Sequence, residues 1–202
     1  MLIYSEEEIE FHKADSKDLI IQALHLRHDV YLRVGYIKEA YPDRIIPDYA
    51  DEISDYILAV NAFGEVIGTI RLAPPNPNFK VFNDWAEFLY PDASQKIQMV
   101  NGTRSVELGA LAVKKCEHKK IAWGLYKATY YYSQQNKIFY WVIAMDNIAL
   151  RSLERLGWYV EKIGYPMEYM GSITSLGVMP VELQLQNIQA KNEGYHNYIK
   201  SL

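Results

Sequence analysis

An apolar, strand-like run, VELGALAV from Val106 to Val113, breaks into Lys114, Lys115, Cys116, Glu117, His118, Lys119 and Lys120, then resumes as a helical pattern through Ile121, Ala122, Trp123 and Gly124. The first N–H groups of a helix have no internal partner and carry partial positive charge, so an anion placed there collects several backbone bonds. Ala122 and Gly124 are small enough to let a phosphate approach a helix tip near Trp123. Lys119 and Lys120 add charge at its mouth, and Lys114, Lys115 and His118 widen the patch. The alternative for these lysines is a solvated loop ahead of an ordinary helix. Glu107 is a second informative residue, because a carboxylate on an otherwise apolar strand is costly unless partnered or functional. Arg71 and Arg104 are its possible ion-pair partners. Arg27, Arg71 and Arg104 carry guanidinium forks that match a carboxylate bidentately, and each can equally serve a structural ion pair. Asp48, Asp51 and Asp55 can meet an ammonium group, or only Arg27.

These residues need elements to hold them. Ile9–Ala14 alternates and predicts a first strand. Ser16 offers an N-cap for a helix through Arg33, with Leu19, Ala23, Leu26 and Val30 on one face and Gly35 as its stop. The two prolines and aperiodic sequence of residues 35–51 predict a long loop, a length uncommon unless functional. DYILAVN and VIGTIRLA predict a hairpin around residues 62–65. A short helix is expected over Asn83–Tyr90, and no element is assigned from there to Arg104. The central strand SVELGALAV follows, then a helix from Ile121. KIFYWVIAM reads as a strand buried on both faces. Asn147 caps or precedes a helix ending at Gly157, WYVEKIG is a further strand, and the tail carries β-like sequence before a polar, helical segment from Gln184. The order predicts one α/β (α+β) domain over residues 1–202 around a single sheet.

Composition narrows the classes. The chain has 202 residues, half of them hydrophobic, and a formal charge of −4, which argues against general nucleic-acid binding. No apolar run reaches membrane-spanning length. The acidic opening MLIYSEEEIE predicts no signal peptide. A single cysteine, Cys116, excludes an intramolecular disulfide and fits a reducing cytoplasm; it reads as incidental rather than nucleophilic. The five histidines show no metal-ligand spacing. The 17 tyrosines fit either amphipathic packing or an apolar cavity with hydroxyl rims.

Lys119-x-x-Ala122-x-Gly124 resembles the pyrophosphate loop of the GNAT acyltransferases, which reads Arg/Gln-x-x-Gly-x-Gly/Ala. NIALRSLERLGW, Asn147–Trp158, resembles their second motif, at the expected distance of one helix and one strand. Leu153 stands where many of them carry a tyrosine acid. The N-terminal half points to a branch. Arg27-x-x-x-Tyr31, Gly35-Tyr36, the acids Asp48, Asp51 and Asp55, then Gly68-Thr69-Ile70-Arg71-Leu72 and Val106-Glu107 follow one another. That order resembles the acyl-homoserine-lactone synthases and the long-chain N-acyl amino acid synthases, over roughly residues 9–180. Ala110 replaces an arginine of the lactone synthases, Tyr36 replaces a tryptophan, and the tail resembles the N-acyl amino acid synthases more closely.

The resemblance implies a GNAT-like mixed sheet flanked by helices, with strands splayed where the acyl donor enters. It implies transfer of a long acyl group from acyl carrier protein, or from acyl-CoA, to the amine of an amino acid. No tightly bound cofactor and no metal are implied. Glu107 becomes the general base, with Gly109 allowing a bulge beside it. Leu111, Ala112 and Val113 pair with pantetheine amides, and Lys119, Lys120, Ile121, Ala122, Trp123, Gly124 and Asn147 complete the donor site. Arg27, Tyr31, Asp55, Arg71 and Arg104 bind the acceptor. Two alternatives are an acetyl-CoA-dependent N-acetyltransferase and a non-catalytic acyl-binding module.

Overall fold

The computed structural model describes residues 1–115 and 118–201. In chain order its elements are β1 (Leu2–Glu6), β2 (Ile9–Lys13), α1 (Lys17–Val34), β3 (Asp55–Asn61), β4 (Val66–Ala73), α2 (Lys80–Asp84), α3 (Ala93–Asn101), β5 (Ser105–Val113), α4 (His118–Gln135), β6 (Tyr140–Asp146), α5 (Asn147–Leu156), β7 (Glu161–Lys162), β8 (Met167–Tyr169), β9 (Ser172–Pro180), α6 (Gln184–Lys191) and α7 (Glu193–Lys200). This is the mixed α/β architecture of a GNAT-like fold. The chain forms two compact units, residues 1–73 with 108–132, and residues 74–107 with 133–202. Cys116 lies outside the described residues, as does the side chain of His118.

In the first unit β1 through β4 follow one another antiparallel, with the later part of β5 beside β4. The alternating strands divide the apolar residues between two faces. Tyr56, Leu58 and Val60 of β3 pack with Ala23 and Leu24 of α1. On the other face Gly68 meets α4, where a Cβ would stand 2.4 Å from Ile121 Cγ2. Ser16 caps α1 by accepting from the Leu19 N–H at 3.3 Å, and Gly35 closes it at φ +85°.

In the second unit the order is β5-β6-β9-β7, with β8 also on β9. Ser105, Val106 and Glu107 pair in parallel with Tyr140, Trp141 and Val142. β6 runs on to Asp146 with β9 as an antiparallel partner. Phe79, Phe82 and Trp85 pack with Val142, Leu176 and Val178. Trp141 Nε1 donates to Ser133 Oγ at 2.9 Å, so this buried indole is satisfied.

Several expectations change. LIYSE forms β1 ahead of the strand expected first, and its Tyr4 ring stacks on Phe11 at 4.6 Å. The helix expected over Asn83–Tyr90 is α2 plus a 3₁₀ turn at Ala86–Phe88, and the unassigned stretch after it contains α3. WYVEKIG yields only the two residues of β7, because Trp158 is spent on the core beside Trp141, ring centres 5.6 Å apart. Asn147 is not a cap: Asp146 caps α5 by accepting from the N–H groups of Ile148 and Ala149 at 2.9 and 3.0 Å. Finally, α4 is already helical at His118 rather than opening near Trp123.

Candidate active site

The long segment after α1 brings its acids onto two buried arginines of the first unit. Arg27 Nη1 donates to Asp51 Oδ1 at 2.8 Å, and Nη2 donates to Asp51 Oδ2 at 2.6 Å and to the Ile46 carbonyl at 2.9 Å. Arg71 Nη1 donates to the same Asp51 Oδ1 at 2.8 Å and to Asp48 Oδ2 at 2.5 Å. The Tyr56 hydroxyl adds a third bond to Asp51 Oδ1 at 2.6 Å. Burial pushes the Asp51 carboxyl up, but the bonds from Arg27, Tyr56 and Arg71 outweigh it and leave it below the usual carboxylate range. Burial of the ring and the same carboxylate raise the Tyr56 phenol, so it stays a donor. Burial also raises the half-buried Tyr31 phenol, whose electrostatic neighbours are these same charges.

Two guanidinium groups and two carboxylates balance one another here. Arg27 therefore does not present an open fork: both its Nη atoms are occupied within the cluster. Asp48 is the outermost member, with its side chain 28% exposed against 13% for Asp51. Its Oδ1 accepts the Ala50 N–H at 3.0 Å, and a carboxylate oxygen with two lone pairs has capacity for an incoming cation as well. Asp55 stands apart, taking Lys13 Nζ at 2.6 Å and the Tyr132 hydroxyl at 2.5 Å. Sequence reasoning missed Tyr56. Its only signal was its place on β3 one residue after an acid, pointing to the opposite face.

The elements read as the donor site show two features. Ala110 in β5 has φ +52°, left-handed backbone that a non-glycine residue enters at a cost of about 1–2 kcal/mol. The distortion expected at Gly109 thus falls one residue on, next to Leu111, Ala112 and Val113. In α4 the early start alters the roles. A helix running from His118 ties the N–H groups from Ala122 onward to carbonyls four residues back. Ala122, Trp123 and Gly124 therefore offer no free N–H, and any cradle lies in the first turn, at Lys119, Lys120 and Ile121. Gly124 is small for another reason: a Cβ there would stand 2.1 Å from Phe11 Cζ. Lys120 pairs with Glu7 at 3.0 Å and Lys114 with Glu65 at 3.3 Å. Lys115 and Lys119 are exposed. A surface depression of about 430 Å³ lies beside this start, lined by Ile9, Ile67 and Ile121 with Glu7, Phe63 and Lys114.

In the second unit Glu107 is half-buried on β5, in register with Val142. Asn147 opens α5 and its Oδ1 accepts from Ser175 Oγ at 2.7 Å. Leu153 is buried in the same helix. Arg104 is exposed, and its backbone carbonyl accepts the Phe139 N–H. Among the described residues no cluster of His, Cys, Asp or Glu is arranged to hold a metal ion, and no helix is long and apolar enough to cross a membrane.

The family profile of the N-acyl amino acid synthase FeeM matches residues 22–171. The chain belongs to the FeeM family. It is an acyltransferase of the GNAT-like type, related in fold to the autoinducer synthases. The CoA-dependent acyl-homoserine lactone synthase BjaI, solved with MTA, superposes with a TM-score of 0.73 at 20% identity, covering 94% of this chain and 88% of BjaI. The AHL synthase LasI gives 0.71 at 16%, covering 92% and 94%. FeeM itself, from uncultured soil microbes, gives 0.71 at 14%, covering 92% and 97%. At these identities the likeness is one of fold. No curated protein matches the chain.

Proposed function

We propose that this FeeM-family acyltransferase moves a long acyl group from the phosphopantetheine thioester of acyl carrier protein to the amine of an amino acid. The observation that carries this reading is the family match over residues 22–171, which takes in Arg27, the acidic segment, Arg71, Glu107 and the start of α4. The ammonium group first gives up one proton; the freed amine nitrogen then attacks the thioester carbonyl carbon, a C–N bond forms, the C–S bond breaks, and the second nitrogen proton passes to the leaving carrier thiolate. Glu107 takes the first of these protons, directly or through water. A thioester is already activated, so the absence of a tyrosine acid at Leu153 is tolerable. Backbone amides of Leu111, Ala112 and Val113 align the pantetheine, and the oxyanion is met by main-chain N–H there.

In the acceptor site, Asp48 receives the ammonium group of the incoming amino acid. Arg27, Arg71 and Tyr56 act by holding the acidic segment in place, with Tyr31 beside them. Asp55 and Arg104 have weaker grounds: the first is spent on Lys13 and Tyr132, and the second is a surface cation.

The test is direct. The purified protein is incubated with pooled amino acids and one donor at a time: long-chain acyl carrier protein, long-chain acyl-CoA, or acetyl-CoA. Mass spectrometry then reads the amide. An N-acyl amino acid formed from the acylated carrier is expected. Product from acetyl-CoA alone would overturn the proposal and favour an N-acetyltransferase.

A further inference from the structure

Three consecutive residues of α1 hold four different points of the segment that follows it. Arg27 takes the Ile46 carbonyl and Asp51. Asp29 takes Arg44, through Nε at 3.2 Å and through Nη2. His28, 2% exposed, sits between them, and its Nε2 accepts the backbone N–H of Tyr41 at 3.0 Å. A backbone N–H can only donate. Nε2 must therefore be unprotonated, and the ring proton lies on Nδ1, which stands 3.0 Å from Asp29 Oδ1. The Tyr41 ring covers the imidazole edge-on at 6.3 Å. Arg44 is held at φ +56°, a left-handed conformation unusual for arginine. The segment is thus fastened in a conformation with stored cost, and one of its fasteners works in a single protonation state.

We propose that His28 is a pH-released latch: in its neutral Nδ1–H form it fixes the Tyr41–Arg44 strap that leads into Asp48, and protonation lets the strap go. A proton on Nε2 would face the Tyr41 N–H, so the bond is present when the ring is neutral and lost as pH falls. The titratable and charged groups near it include Arg27, Asp29 and Tyr31 of α1, Tyr41, Asp43, Arg44, Asp48 and Asp51 of the segment, Tyr56 of β3 and Arg71 of β4. Asp29, kept ionised by Arg44 first and His28 second, lies on the Nδ1 side and accepts that proton. His28 is a positioning residue, not one that touches the reacting atoms. Its effect on acceptor binding rests on the reading of Asp48 given above.

The experiment has two readouts. Imidazole ¹⁵N shifts and the protection factor of the Tyr41 amide are measured by NMR at about pH 8 and about pH 5.5. The expected result is an Nδ1–H tautomer at the higher pH and a fall in Tyr41 protection of about tenfold or more at the lower, the worth of one buried hydrogen bond. His28→Gln places an amide oxygen near the Nε2 position, accepts the same N–H without titrating, and should keep its protection at both pH values. An Nε2–H ring at the higher pH, or pH-independent protection in the wild type, overturns the latch, and neither reading needs a variant. With an active acceptor, KM for that amino acid should rise more on acidification in the wild type than in His28→Gln; equal rises remove the link to acceptor binding. If no amino acid is acylated at all, the proposed function fails and the protection data decide the latch independently.

Discussion

Asp51 accepts four hydrogen bonds on its two oxygens, from Arg27 twice, Arg71 and Tyr56. Its charge is the pivot of the acidic segment. Removing the charge while keeping the shape, in Asp51→Asn, takes from buried Arg27 its carboxylate partner and from buried Arg71 one of its partners, and should cost about 3 kcal/mol of stability. The folded carboxyl lies below its ordinary value, so its contribution is complete above the unfolded pKa and is lost as pH falls through the folded one. Thermal melts of wild type and Asp51→Asn should therefore differ most near neutrality and converge in acid. A constant gap across pH would mean the carboxylate charge is not what holds the segment. Glu107, the proposed general base, is tested in the same way. Glu107→Gln preserves shape and polarity but cannot take a proton, so turnover should fall at least about tenfold while donor binding changes little. Unaltered turnover removes Glu107 from the catalytic role.

Helix α4 separates two explanations of a small residue. Gly124 was legible in the sequence as room for a phosphate; in the fold it is room for Phe11. Gly124→Ala forces a Cβ onto the Phe11 ring and should lower stability by about 1–3 kcal/mol, with Phe11→Leu restoring part of the loss in the double variant. A normal melting temperature with a raised KM for donor would instead return Gly124 to the phosphate. The same contrast explains what else could be read in advance. β3 and β4 were predicted to their end residues, because their apolar runs are bounded by turn residues on both sides. Helix α1 was legible through Ser16 and Gly35, whose side chain and φ do the capping that their types suggested. β1 was not, since LIYSE mixes charge into a strand whose partner is visible only in three dimensions. The acids at 48 and 51 were legible as chemistry, with Arg27 as one possible partner, but their pairing with Arg71 was not: an aperiodic segment carries no register from which to compute who meets whom.

The molecule carries a formal charge of −4, yet the stretch entering α4 is cationic. Two of its lysines are already paired, Lys114 with Glu65 and Lys120 with Glu7. Lys115 and Lys119 have no acidic partner among the described residues, so their field is directed outward. On an anionic protein such a patch cannot attract anions in general, but at close range it can orient one that docks by its own acidic surface, as a carrier protein would. The Debye length is about 10 Å at 0.1 M salt and about 3 Å at 1 M, so attraction between exposed groups is largely erased across that range. For wild type, kcat/KM with acylated carrier should fall about tenfold between low and high salt, with kcat nearly constant, since steering acts on encounter. The double variant Lys115→Glu, Lys119→Glu should start about tenfold lower and show a flat or inverted salt dependence. Steady-state kinetics at several salt concentrations would check both slopes. Parallel slopes in the two proteins would mean that the carrier docks elsewhere, and that the cationic entrance to α4 meets only the small phosphate of the pantetheine arm.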